Sequence, residues 1–591
     1  MSKKDLLIVI ALFAIWISWP VIDRQIVKRH FFPASAPVET EQVLEQEPGA
    51  TEPPALAAAP VEVAAEPEPE VQEVQPVEPE PETPAISEQV VSLENEKIRV
   101  EVSSRGATVK GATLKEYRST IEADSGPVVL NFDESRALVY GRVDGFDSSQ
   151  AFMLVETEPG KSVRLERRGA KGLRLVRTIS LTDHYLLQIS DTWLNESANA
   201  VVLPTHELQL GGMQNLDEAV TRGMVSLGVD TLSPGGEKVK HWGGTIPKWF
   251  KTVQKEKNLP KLPIQVEMPV EKPVDWVAAK NKYFVQILTP EGGADDAVVR
   301  ASREVADAER LDPRAGPKAA VPRTVSVAVV LPEFTLKGGE QLVRNSQYYI
   351  GPKKYSELSL YGMHQVNVME FGMWAPIGKL LLKIMNWIRD VIWPHNYGIA
   401  IILLTIIIRI VFWPITHKST ESMKRMQAIQ PLMKEIREKY KDNQQKQQQE
   451  LMNLYKEHKV NPLGGCLPML IQIPVFIALF VVLRSAIELR FAPFLWVRDL
   501  SQPENLLAGV LPIPLNILPI VMAVTMVWQQ KLTPGTGDPN QQKMMMFMPV
   551  MMLVMFYNFA AGLTLYWTTN QCLMIVQQLI MHRKSAKAAT T

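Results

Sequence analysis

The chain has 591 residues, enough for roughly three or four domains of ~150 residues. Its 63 Lys and Arg balance 63 Asp and Glu, so it lacks the basic excess of a nucleic-acid-binding chain. Two cysteines, Cys466 and Cys572, are too few for a disulfide framework or a cysteine-only metal site.

The zero net charge hides an asymmetry. Residues 31–96 hold sixteen Glu and no Lys, Arg or Asp, and 20 of the 25 Met lie beyond residue 360 with the longest apolar runs. A water-loving N-terminal half therefore precedes a membrane-loving C-terminal half.

Leu6 to Ile22 is an uncharged apolar run of 17 residues behind Lys3 and Lys4, with no small-x-small cleavage site after it. It predicts an uncleaved signal-anchor helix within residues 1–30, although Arg24, Lys28 and Arg29 on its far side oppose an N-inside orientation. Residues 31–87 are dominated by Pro, Glu, Ala and Val, which repel and cannot bury a core, so they predict a disordered linker.

Between 88 and 350 apolar and polar residues alternate, as in Lys97-Ile-Arg-Val-Glu-Val and Leu173-Arg-Leu-Val-Arg-Thr-Ile-Ser-Leu. That is the period of half-buried strands. Turn signals at Gly211-Gly212, Pro234-Gly-Gly and Gly292-Gly293 separate them, and few stretches have helical period. The pattern predicts a large antiparallel β domain.

Helical patterning starts at Pro376. Over 376–393, Ile377, Leu380, Leu381, Ile384, Ile388, Val391 and Ile392 share one face, opposite Lys379, Lys383, Asn386, Arg389 and Asp390. This predicts an amphipathic interfacial helix. Spans are expected at about 397–415, 467–484, 508–528, 547–561 and 562–581, the last two forming a tight hairpin at Gly562. With the anchor they make six, five of them in a core over 394–581. Residues 417–467 carry ten Lys and Arg against six Asp and Glu, so this loop and both termini are expected in the cytoplasm, the tail at 582–591 being short and basic. Residues ~24–393 then lie outside. Within 417–467, Met426, Ile429, Met433, Ile436 and Tyr440, then Leu451, Leu454 and Tyr455, predict a helical hairpin broken at Lys441–Gln449.

Arg409 is the intramembrane charge. It lies roughly 16 Å from Gly398 along the helix, and a central Arg costs about 2.5–3.5 kcal/mol to insert. Snorkelling to the headgroups is one way out; a buried ion pair is another, but no other expected span contains Asp or Glu. The favoured reading is a water-filled cavity. Thr405 shares its helix face, and Gln472, Thr525, Gln529, Tyr566, Trp567, Thr568, Thr569, Asn570 and Gln571 supply further polar groups. Singly, each fits an interhelical hydrogen bond better than a ligand contact. Met544, Met545, Met546, Met548, Met551, Met552 and Met555 fit a surface accepting many apolar sequences, or equally plain lipid-facing packing. No Walker A, HExxH or GxSxG motif is present, and neither cofactor nor metal is expected.

The run Lys459-Val-Asn-Pro-Leu-Gly-Gly-Cys-Leu-Pro-Met-Leu-Ile-Gln-Ile-Pro-Val-Phe resembles the YidC/Oxa/Alb membrane protein insertase family, as do Ala486-Ile-Glu-Leu-Arg-Phe-Ala-Pro-Phe, Asp538-Pro-Asn-Gln-Gln-Lys-Met-Met-Met-Phe-Met-Pro and Arg409-Ile-Val-Phe-Trp-Pro-Ile-Thr. The resemblance runs the length of the chain. It implies a polytopic α-helical inner-membrane protein of six spans with a periplasmic antiparallel β-supersandwich domain of mutarotase-like fold. It also implies a substrate groove open to cytoplasm and lipid, with Arg409 as its positive residue and Thr405 as its threonine. On that reading Gln472, Met522, Thr525, Gln529, Tyr566, Trp567 and Asn570 line the groove, Trp567 standing where the family commonly has a second tyrosine. Implied partners are nascent membrane proteins, the bilayer, the Sec translocon, and ribosome or signal-recognition components at 417–467. The rival readings are an anion transporter using Arg409, without visible inverted repeats, and a tethered carbohydrate enzyme using Asp183-His184 or His206-Glu207.

Overall fold

The structure, a computed structural model, describes residues 87–216, 227–236, 238–303, 322–458, 460, 467–508, 510–511, 513–532 and 539–590. The expected anchor and almost all of the linker lie outside these residues. The described residues fall almost wholly in the first of two units, 86–537 with 542–591. All elements below belong to the first, apart from the start of one helix.

From Val90 to Pro352 the chain is mostly strand, and every ladder is antiparallel. One sheet has nine strands, in the order Lys240–His241, Gly228–Leu232, Trp276–Lys280, Phe284–Pro290, Gln341–Pro352, Leu186–Asn195, Leu173–Leu181, Ser162–Arg168 and Met153–Glu158. A six-stranded sheet, with Asp296–Arg303 and Pro322–Leu331 near its centre, packs on it through Trp276–Lys280. A four-stranded sheet covers Val90–Asn131. The alternation works as expected in Ile98–Ser103, where Ile98, Val100 and Val102 are buried and Arg99 is exposed.

In Leu173–Leu181 the inward positions include a charge, Arg177, fully buried beside Leu175 and Ile179. Asp191 on the neighbouring strand neutralises it: Arg177 donates to both carboxylate oxygens at 2.7 and 2.8 Å, and its third nitrogen reaches the Ala107 and Leu138 carbonyls. Tyr140 donates to the same carboxylate at 2.7 Å. A buried ion pair is tolerable only when its remaining polar atoms are bonded, and here they are.

Helix α1 (Ile246–Glu256) interrupts the strands, a helical stretch that the sequence reading did not locate. Its signal was present: Ile246, Phe250 and Val253 fall at helical spacing and are buried together, with Pro247 opening the first turn.

After the short α2 (Tyr355–Leu358), α3 (Ala375–Val391) occupies the expected amphipathic segment, but its buried face is rotated. Leu381, Leu382, Met385 and Ile388 are buried, whereas Leu380, Trp387, Val391 and Ile392 are exposed. The face that packs on α4 (Tyr397–Val411) and α8 (Leu467–Ser485) is the one through Leu381, Leu382, Met385 and Ile388.

The cytoplasmic-loop expectation yields α5 (Trp413–Ala428), α6 (Gln430–Lys439) and α7 (Gln444–Glu457). The turn is Tyr440–Asn443, shorter than the polar run Lys441–Gln449, because Asn443 caps α7 by accepting from the Lys446 amide. Ile429, Met433, Leu454 and Val460 form the hairpin's own small core.

The remaining helices are α9 (Ile517–Leu532), α10 (Pro539–Phe556) and α11 (Ala561–Thr590). The expected span 508–528 is thus displaced: its helix begins only at Ile517, where Glu504 caps α9 by accepting from the Leu518 amide at 2.9 Å and from that of Ile517. Gly562 is not the hairpin turn, which is 557–560. It lies inside α11, where a Cβ would sit 3.0 Å from the Leu500 carbonyl. Helix α4 has 15 residues and α9 has 16, about 22–24 Å against a ~30 Å hydrocarbon core. Among the described residues no helix is long and apolar enough to cross a membrane, so the six spans are not established by helix length.

Candidate functional site

Helix α11 packs against α4, α8 and α9, bringing most of the candidate residues around one axis. Arg409 leaves α4 two residues before its end. Its Nε donates to Asn570 Oδ1 at 2.8 Å and its Nη2 to the Asn570 carbonyl at 3.3 Å. Among the described residues no carboxylate pairs with Arg409. The half-buried guanidinium therefore has an amide rather than a carboxylate as its side-chain partner among the described residues.

One turn earlier on α11, Tyr566 is buried and accepts from the Gln472 amide of α8. Tyr566 and Asn570 are four apart and share a face, so two polar pairs stack along α11 and tie it to α8 and α4. Thr405 lies on the Arg409 face of α4, but it is fully buried and its hydroxyl bonds back to the Ile401 carbonyl at 2.6 Å. Thr525 does likewise with the Met522 carbonyl at 2.7 Å, and Met522 itself is buried. Gln529 reaches the Met574 sulfur of α11 at 4.0 Å.

Trp567 turns away from Arg409 into an aromatic group with Phe476 and Phe556, at centroid distances of 5.0 and 5.5 Å. The sequence reading missed Phe476, an apolar residue in an apolar helix with nothing to mark it. Trp567 Nε1 and Gln571 Oε1 are buried and make no hydrogen bond among the described residues. The methionines of α10 divide: Met546, Met548 and Met551 are exposed, while Met552 is buried.

In the β region, His206 and Glu207 are strand neighbours on opposite faces. His206 is caged by Tyr140, Trp193 and Phe334, donates through Nδ1 to the Pro204 carbonyl at 2.9 Å, and is pushed down to about 4 by burial. Glu207 is paired with Arg300 and Arg142 at 2.6 and 2.7 Å. His184 touches Glu357, which Lys97 also holds. These are packing arrangements rather than an acid–base pair in a cleft. Asp230, His241 and Glu370 offer three metal-ligand atoms within 4.8 Å of one another, yet the buried Lys280 ammonium bonds both carboxylates at 2.5 Å. A metal would have to displace that cation.

The described helices thus gather around a polar seam at Arg409, and the strands before them form a large antiparallel β region. The family profile described as 60Kd inner membrane protein matches residues 387–588, and that of the YidC periplasmic domain matches residues 90–384. The chain belongs to the YidC family. The membrane protein insertase YidC of Syntrophobacter fumaroxidans is 34% identical over 83% of this chain and 86% of its own length. That of Geobacter metallireducens is 41% identical over 53% of each. A crystal structure of an active YidC insertase with its first transmembrane domain resolved is 18% identical, covers 83% of this chain and 92% of that one, and has a TM-score of 0.34.

Proposed function

We propose that this chain is a membrane protein insertase and folding chaperone of a bacterial inner membrane. The observation that carries the reading is a cation among apolar helices, Arg409, whose side-chain partner among the described residues is the amide of Asn570 and not a carboxylate, in a chain whose relatives are named membrane protein insertases. An amide can release the guanidinium to a passing acidic group; a carboxylate would neutralise it permanently.

On this reading Arg409, Thr405, Gln472, Met522, Thr525, Gln529, Tyr566, Trp567 and Asn570 line a groove that admits a nascent chain's hydrophilic segment. Charge attraction there is screened less than in bulk water. Burial of the following apolar helix, at about 25 cal/mol per Å², then draws the segment across. The membrane potential adds roughly 2.3 kcal/mol per negative charge per 100 mV. No nucleotide is consumed. The chain has six spans, with both termini and the 417–467 hairpin in the cytoplasm and residues ~24–393 in the periplasm. The hairpin receives ribosomes or signal-recognition components, and the Sec translocon is a working partner.

The test is depletion of the protein followed by insertion of a small single-span substrate with an acidic translocated tail. Insertion should fail and be restored by the wild-type chain. Photocrosslinks from Thr405, Met522 and Trp567 to a stalled nascent chain should appear; their absence at all three positions, with insertion intact, would overturn the groove.

A further inference from the structure

The loop between Asn505 and Asn516 has no Asp, Glu, Lys or Arg, and exposes Leu507 at 56%, Val510 at 77%, Leu511 at 41% and Ile513 at 66%. Four large apolar side chains on a short connection are unfavourable in water, and such patches mark a contact surface.

The loop is held in shape. Leu506 and Leu515 exchange both backbone hydrogen bonds, at 2.9 and 2.8 Å, closing its base. Asn516 accepts from the Asn505 amide at 2.7 Å and donates to the Tyr557 carbonyl at 2.7 Å, while the Tyr557 hydroxyl donates to the Pro514 carbonyl at 2.8 Å. Val510 and Leu511 both donate backbone amides to the Leu507 carbonyl. These amides, bonded inside the loop, would not be stranded in a weakly polar medium.

We propose that Leu507, Val510, Leu511 and Ile513 are the apolar face of a lipid-dipping loop, seated in the bilayer leaflet on the β-region side at the boundary between headgroups and acyl chains. Three features favour lipid over a protein partner. The exposed apolar face continues down α9 through Val524 and Val527, in a family of inner membrane proteins. The outward side chains are aliphatic, without the Arg and Tyr anchors of protein interfaces. Trp496 stands half-exposed beside the loop's start, its indole N–H donating to Glu504 at 3.2 Å, as indoles do at membrane boundaries. An uncharged stretch of about a dozen residues also fits an interfacial segment better than a span. The inference rests on the bilayer placement of α9.

The test uses the full-length chain carrying C466S and C572S, reconstituted in phosphatidylcholine–phosphatidylglycerol vesicles. An environment-sensitive fluorophore is placed singly at V510C, I513C, V524C or E122C. We expect a shallow nitroxide lipid to quench V510C and I513C at least twofold more than iodide does, with the reverse at E122C. Iodide reaching I513C as freely as E122C, while V524C is quenched by lipid, would overturn the loop's placement and leave the insertase reading intact. Shielding of I513C from both quenchers would mean a protein, such as a second copy, covers it, and also overturns the proposal. Failure of lipid to quench V524C would remove the bilayer placement of α9, and the loop's placement with it.

Discussion

Arg409 and Asn570 are joined across α4 and α11 by two hydrogen bonds to one residue, Nε to the side-chain oxygen at 2.8 Å and Nη2 to the backbone carbonyl at 3.3 Å. The asparagine orients the cation without cancelling its charge. Arg409→Ala is therefore expected to impair insertion of substrates with acidic translocated tails, with Arg409→Lys milder because the charge survives while the planar fork is lost. Asn570→Ala removes one charge-assisted bond worth about 1.5–3 kcal/mol, and should loosen α4 against α11 while leaving more insertion than Arg409→Ala. Paired insertion assays with acidic and neutral tails check this: equal defects on both tails would make Arg409 a packing residue only.

His206 sets an acid limit on the β region. The unfolded chain takes a proton on this imidazole near its ordinary value of 6.5, whereas burial among Tyr140, Trp193 and Phe334 delays protonation of the folded chain to about 4. Below pH 6.5 the unfolded state binds more protons, so the stability contribution is complete above 6.5 and falls as pH drops toward 4. The whole loss is about 3 kcal/mol. His206→Phe should flatten the thermal-midpoint difference between pH 7 and pH 4.5 relative to wild type; parallel pH profiles would refute it.

How far the sequence reaches is clear at particular residues. Ile98, Val100 and Val102 alternate because one face of their strand is buried, a local pattern readable without the fold. The 417–467 hairpin was legible for the same reason at helical period. Arg177 was not: it reads as an outward polar residue until Asp191, fourteen positions away, is known to lie opposite it. The start of α9 was misplaced because an apolar run does not reveal that Glu504 caps at Ile517. In the site, the charge at Arg409 and the polar α11 positions were visible in composition. Their pairing with Asn570 and the turning of Trp567 toward Phe476 depend on helix rotation, which no period fixes to within one residue.

Arg490 clasps the β region to the loop after α8. It donates to the Arg118 and Ser119 carbonyls at 2.6 and 3.0 Å and stacks on the Phe491 ring at 4.2 Å, with Tyr283 and Phe284 beyond. Two carbonyls at a strand end are thereby satisfied by a residue some 370 positions away. Arg490→Ala removes bonds of about 1.5–3 kcal/mol each, so opening of the segment around Arg118 should become at least tenfold more frequent. Hydrogen exchange over 115–130 measures it. Arg490→Lys should recover little, because one ammonium cannot match the fork and the stacked plane; full recovery would sink the clasp.

Gly398, in the first turn of α4, is pressed by the Phe494 ring so closely that a Cβ would lie 2.2 Å from two of its carbons. Replacing glycine by alanine ordinarily favours a helix by up to about 1 kcal/mol. Here the ring must leave, and overpacking of this kind costs about 1–3 kcal/mol. The backbone offers little relief, since Asn396 caps this turn by accepting from the Gly398 amide at 2.8 Å and donates to the Pro493 carbonyl at 2.8 Å, next to the ring itself. Gly398→Ala should therefore lower the thermal midpoint of the detergent-solubilised chain. Phe494→Ala alone should lower it through the lost packing, and the double variant should lie above the sum of the two losses, because removing the ring removes the clash. Strict additivity would show that α4 shifts to admit the methyl group and that the ring is not what fixes its position.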